Sequence, residues 1–305
     1  MKKKAEEDYT KLKKTLAFKR TIMNNFKKGI IFEVSTELEA RIAQRAGACG
    51  VLLNDPVGDS VKRMPDPQFV KTVADCVALP VITRVRIGHK AEAQIMEMSG
   101  ANVIEESKEL SVEDDNDVFI DKHDLSVPCL CWAKDLVEVV NAIHSGAPAV
   151  IIGHDDDINS GGNAVDIVGN LEAIRDEREE IRSNRAKRAA LNASDPSSAD
   201  KIKKLDEEIT DKVEKFPHLK DELIKVCSMK EFPILFFAHG FKASPADIAL
   251  MIYHGFDSII IVGDDVFSKN ANPLKYATSL IKAIANYSKP AVLMDISDDM
   301  GRGVY

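Results

Sequence analysis

The chain has 305 residues, 45% of them apolar and 30% charged, with a formal net charge of −8. This is the composition of a globular protein with a sizeable core, and no apolar run is long enough to cross a bilayer. Residues 1–28 hold ten Lys and Arg against three acids, which leaves the remainder near −15 and argues against nucleic acid as a partner. The five cysteines, Cys49, Cys76, Cys129, Cys131 and Cys227, form no CxxC pair, so reduced thiols are expected. The N-terminus has neither a secretory apolar stretch nor the acid-poor composition of a transit peptide, and a cytosolic protein is expected.

In chain order, Leu12, Leu16, Met23 and Phe26 recur at helical steps among lysines and predict an amphipathic extension over 1–28. It is either a partner-docking element or a plug for the bottom of the barrel. From residue 29, short β-branched runs alternate with helical stretches. The runs are Gly29–Val34, Cys49–Asp55, Pro80–Ile87, Asn102–Glu106, Pro128–Trp132, Ala149–Gly153, Pro233–Ala238 and Ser258–Gly263. Eight such units over 29–290 suit a closed α/β TIM barrel, (β/α)8, better than an open doubly wound sheet.

Helix starts are marked by Thr36-Glu-Leu-Glu39 as a capping box and by Ser244-Pro245 as N-cap and N1. Gly47, Gly100, Gly146 and Gly255 stand where left-handed stops are wanted. The stretch from about 182 to 204, rich in Ala, Ser, Asp and Lys and broken by Asp195-Pro196, is expected to be a solvated, polar helical insertion between two helices. Residues 291–305 are expected to be a tail.

In such a barrel the chemistry sits at the C-terminal strand ends. These ends offer Glu33; Asn54 and Asp55; Arg84, Arg86 and His89; Glu105 and Glu106; Cys131 and Trp132; His154 with Asp155, Asp156 and Asp157; His239 and Gly240; then Asp264 and Asp265. A phosphate would meet repulsion from Asp264 and Asp265, where phosphosugar barrels commonly offer glycine-rich loops. An imine needs a lysine that can lose its proton, and no strand end supplies one. Arg84 has the inward position, and a guanidinium stays protonated. Lys90, Lys108, Lys134 and Lys242 lie in following loops or helices and are the candidates for a relocated amine. Cys129 with Cys131, and His154 to Asp157, admit a metal reading, but small core residues and solvated loop acids are the simpler ones. No metal and no cofactor is expected, and Trp132 is expected to cap the mouth.

The segment Arg84-Val-Arg-Ile-Gly-His89, followed by Glu92-Ala-Gln-Ile95, resembles the synthase subunit of glutamine-dependent pyridoxal 5′-phosphate synthase, the PdxS/SNZ family. The likeness continues through Arg63-Met64, Asp66-Pro67, Ile104-Glu-Glu-Ser107, Lys122-His123, Ala133-Lys-Asp-Leu136, Pro245-Ala-Asp247 and Val262-Gly263, over roughly residues 18–290. It implies a barrel subunit of hexameric rings, usually stacked as dodecamers, supplied with ammonia by a glutaminase subunit docked largely through the N-terminal region. It further implies that family members join ribose 5-phosphate, glyceraldehyde 3-phosphate and ammonia through two lysine imines.

The departures fall on that chemistry. The family's strand-one aspartate is Glu33 here, its first imine lysine is Arg84, and its second falls at Gly153. Ser160, Gly240, Gly263 and Asp264 stand at degenerate phosphate-site positions, Glu172 at the place of a further arginine, and Asn141 and Ala142 at those of the family's paired arginines. Arg86, His89, Glu105 and His123 are retained as candidate substrate contacts. The resemblance therefore implies a pseudoenzyme like the non-catalytic paralogues of plants, assembling with catalytic synthase subunits and tuning vitamin B6 synthesis, with glutaminase docking left open. The alternative is an active barrel enzyme, a pyridoxal phosphate lyase or an altered phosphosugar enzyme, that uses a relocated lysine or metal-bound carboxylates.

Overall fold

The computed structural model describes residues 11–12, 14–54, 63–110, 119–153, 163–190, 203–204, 207–208, 210–211, 213–214, 217–239 and 243–300. Eight parallel strands close on themselves in sequence order: β1 (Gly29–Val34), β2 (Gly50–Leu53), β3 (Val81–Arg86), β4 (Val103–Ser107), β5 (Cys129–Trp132), β6 (Ala149–Ile152), β7 (Leu235–Ala238) and β8 (Ser258–Ile261). Each lies inside a run read from the sequence, give or take a residue at its end. The fold is thus a TIM barrel, and β1 pairs with β8 from Gly29 opposite Ser258 to Phe32 opposite Ile261 to complete it.

Alternation along each strand explains the closure. One set of side chains, Ile31, Leu52, Ile82, Val103, Leu130, Ile151, Phe237 and Ile260, fills the interior. The opposite set, including Phe32, Val51, Val81, Ile104 and Cys131, packs under the helices. Cys129 and Cys131 are both buried on that outer face, and burial pushes the Cys131 thiol up to about 12, as expected of small core residues.

The helices are α1 (Leu16–Met23), α2 (Glu37–Ala46), α3 (Pro67–Cys76), α4 (Lys90–Met98), α5 (Leu136–His144), α6 (Ala164–Ala190), α7 (Lys220–Ser228), α8 (Pro245–Tyr253), α9 (Pro273–Ala285) and α10 (Pro290–Met300). At α8 the Ser244 hydroxyl accepts from the Asp247 amide while the Asp247 carboxylate accepts from the Ser244 amide, a full capping box. At α2 the Thr36 hydroxyl accepts from the Glu39 amide, but Glu39 reaches back one residue further, to the Ser35 amide at 2.6 Å. The four expected glycine stops take left-handed backbone, with φ of 98° at Gly47 and 100° at Gly100.

The N-terminal extension closes the barrel floor. Met23 and Phe26 are buried with the interior side chains, and the Phe26 ring lies 6.2 Å from that of Phe237. Leu12, expected on the same apolar stripe, is half exposed, whereas Lys19 is buried and donates from Nζ to the Lys122 carbonyl. Burial drives the Lys19 ammonium down to about 8.

Residues 182–190, the start of the polar helical insertion, continue α6, because Ala, Arg and Lys are strong helix formers and Arg185 ties the extension to the Ile224 carbonyl at 3.1 Å. Asp195-Pro196 lies outside the described residues. Between β4 and β5 the described residues hold only two 3₁₀ turns, Lys108–Leu110 and Lys122–Asp124, and no α-helix. Residues 291–300 of the expected tail belong to the helix Pro290–Met300, which buries Ile296. Among the described residues no helix is long and apolar enough to cross a membrane.

Candidate functional site

Above the apolar filling, five side chains form a charged layer at the C-terminal end of the barrel. Glu33 comes from β1, Arg84 from β3 and Glu105 from β4, Trp132 ends β5, and His239 follows β7. The strand register sets Arg84 opposite Glu105. Arg84 Nη2 donates to Glu33 Oε1, and its Nε lies 3.4 Å from Glu105 Oε2. The other oxygen of Glu105 accepts from Trp132 Nε1 at 2.9 Å. His239 Nε2 is 2.8 Å from Glu33 Oε1, and its ring meets the Trp132 indole edge-to-face with centroids 5.3 Å apart. All five are buried, Trp132 being the most exposed at 5%.

This layer is a buried ion-pair network. Burial opposes the charge on Glu33, but the Arg84 guanidinium and the His239 ring outweigh it and bring the carboxyl down to about 2. A carboxylate so acidic is a weak general base, since proton transfer is best served by a group near the working pH. Arg84 provides no deprotonable amine in any accessible state.

The glycines beside this layer are explained by close approach. A Cβ on Gly153 would fall 2.3 Å from Trp132 Cζ3, and one on Gly263 would fall 2.4 Å from the Glu33 carbonyl oxygen. Gly153 is anchored in turn by Asn170 Nδ2, which donates to its carbonyl at 3.0 Å.

The remaining sequence-derived candidates scatter. Arg86 and His89 build the turn from β3 into α4: Arg86 donates from its amide and from Nε to the Glu92 carboxylate at 2.9 and 2.8 Å, while His89 Nδ1 accepts from the Glu92 amide at 3.2 Å. Glu172 lies on α6 with His254 Nδ1 at 2.7 Å, near the end of α8. His123 packs its ring against Gly146, at the turn that leads into β6, so it is at the opposite end of the barrel from the mouth. Asp264 accepts from Ser268 at 3.2 Å, and Asp265 from Lys269 at 2.8 Å, within one short turn. Ser160, Gly240, Asp55, Lys242 and the His154 to Asp157 loop lie outside the described residues.

Of the candidate amines, Lys90 pairs with Asp124 and Lys134 with Glu138, both on the surface, and Lys108 is exposed. Sequence reasoning missed the role of Lys122. It is fully buried under the outer face of β4, paired with Glu106, which also accepts from the Ile120 and Gly88 amides. Burial favours its neutral form, but neighbouring Cys131 and Glu106 outweigh that and raise its pKa above the ordinary value. No local pattern announces this pair, because its partners are 16 residues apart and meet only through the fold. Among the described residues no three His, Cys, Asp or Glu side chains converge as a metal site.

Known proteins place the chain among relatives. The model of the SOR/SNZ family matches residues 15–238. The pyridoxal 5′-phosphate synthase-like subunit PDX1.2 of Arabidopsis thaliana is 35% identical over 89% of this chain and 79% of its own. The pyridoxal 5′-phosphate synthase subunit SNZERR of Suberites domuncula is 34% identical over 94% of this chain and 87% of its own. Subunit PDX1.1 of Arabidopsis thaliana is 32% identical over 97% and 89%. With a family model matched over most of its length and relatives above 30% identity along nearly all of it, this TIM barrel belongs to the SOR/SNZ family, as a homologue of the pyridoxal 5′-phosphate synthase subunit.

Proposed function

We propose that this chain is a catalytically impaired subunit of the pyridoxal 5′-phosphate synthase system, one that assembles with catalytic homologues and supports or tunes their output. The observation that carries the reading is Arg84, bound between Glu33 and Glu105 at the position where the resemblance puts the first imine lysine. An imine forms when a neutral amine attacks a carbonyl carbon and water leaves, and a guanidinium held by two carboxylates has no such lone pair to offer. The second position, Gly153, carries no side chain at all. Support also comes from the similarity to a plant protein whose name is a synthase-like subunit rather than a synthase subunit.

The test has two arms. Incubation with ribose 5-phosphate and borohydride, followed by intact-mass measurement, is expected to leave this chain unmodified at any inward position while a catalytic homologue gains an adduct. An adduct mapped inside the barrel would overturn the loss of chemistry. Co-expression with that homologue and native mass spectrometry is expected to give mixed rings, and strictly separate oligomers would overturn the partnership.

A further inference from the structure

The end of β6 and the ring of Trp132 claim the same volume. A Cβ on Gly153 would stand 2.3 Å from Trp132 Cζ3, 3.1 Å from Cη2 and 3.2 Å from the His239 carbonyl oxygen. The φ of Gly153 is not left-handed, so a side chain there is excluded by space and not by backbone conformation. Nor is the indole free to swing aside. Its Nε1 donates to Glu105, its ring is set against His239, and only 5% of the residue is left exposed.

We infer that Trp132 is the occluding residue of this mouth, and that it makes Gly153 obligatory. The bearing of this on imine chemistry rests on the proposed reading that Gly153 stands at an imine-lysine position; the steric exclusion does not. Reinstating lysine at 153 alone forces either the indole out of its hydrogen bond with Glu105 or the end of β6 away from β5. An amine can enter the mouth from β6 only after Trp132 is reduced to a small side chain. The 3.2 Å approach to the His239 carbonyl then needs a shift of a few tenths of an ångström, which one strand end can absorb.

The experiment compares the full-length chain with Gly153→Lys, Trp132→Ala and the double variant. Thermal midpoints and trapping of glycolaldehyde with borohydride are read together, the adduct being mapped to residue 153 by peptide mass spectrometry. In trapping, the lysine nitrogen attacks the aldehyde carbon, water leaves, and hydride reduces the imine to a stable secondary amine. Gly153→Lys is expected to lower the midpoint by about 5 °C or more, through overpacking. The double variant is expected to be more stable than the sum of the two separate losses allows, and to trap at residue 153 at least about tenfold more than Gly153→Lys, as an amine freed from a blocked site would. If Gly153→Lys fails to fold, Gly153→Ala with and without Trp132→Ala measures the same coupling. A wild-type midpoint for Gly153→Lys or Gly153→Ala, or additive losses in the double variant, would overturn the inference. Mixed-ring formation by the unaltered chain is independent of all of these results, so the failure of one proposal is distinguishable from failure of the other.

Discussion

At the scale of single residues, the charged layer ties stability to pH through Glu33. Its folded pKa, about 2, lies below the ordinary 4.5, so the native state keeps the carboxylate ionised where an unfolded chain has begun to bind a proton. The stability it contributes is whole above about 4.5 and is lost as the pH falls toward 2. Glu33→Gln should therefore flatten the acid limb of the stability curve in that window. At neutral pH it should cost on the order of 3 to 5 kcal/mol in urea unfolding, because Arg84 keeps its buried charge and loses a carboxylate. A smaller effect of opposite sign is expected at Thr83, whose buried hydroxyl has no hydrogen-bond partner among the described residues. Thr83→Val keeps the volume and removes the unsatisfied oxygen, and should raise stability by about 1 kcal/mol in the same measurement.

At the scale of elements, the Arg84-to-His89 motif, which made the family recognisable, divides its labour. Arg84 points into the barrel, whereas Arg86 and His89 fold the turn around Glu92, whose carboxylate satisfies the Arg86 amide and guanidinium. Their place in the sequence pattern suggested substrate contacts, yet the bonds they make are those of a strand-to-helix joint. Glu92→Ala is expected to cost about 2 to 3 kcal/mol, since a buried acceptor is lost beside a charged donor. Amide exchange over residues 86–92 should accelerate, with the strands on the far side of the barrel unchanged. Equal acceleration throughout would show that the turn is not a local unit.

At the scale of the whole molecule, described side chains of the chain itself fill the barrel at its floor and form a bonded layer at its mouth. The floor is closed by Met23 and Phe26, and the mouth is lined by five mutually bonded side chains. Phe26 fills the space under Gly50, where a Cβ would fall 2.8 Å from its ring. Phe26→Ala should cost about 3 to 5 kcal/mol in denaturant unfolding, as a cavity opens that the rigid strands cannot fill. A loss below about 1 kcal/mol would mean that the extension rests on the barrel without closing it.

The strands, the helix starts and the glycine stops were legible in the sequence because each depends on near neighbours. Period-two alternation marks Gly29–Val34 as a strand, and Ser244 with Asp247 is a cap wherever the chain goes next. That arginine and glycine stand at positions 84 and 153 was equally plain, since a residue's identity needs no coordinates. What only the tertiary structure decided was pairing over distance. It packed Met23 and Phe26 into the barrel floor, buried Lys122 against Glu106, moved His123 and Glu172 away from the mouth, and set Trp132 against Gly153. These contacts join residues from 16 positions apart, Glu106 and Lys122, to 211 apart, Phe26 and Phe237. Closure of the barrel creates them, and no local propensity encodes a neighbour that arrives from another strand.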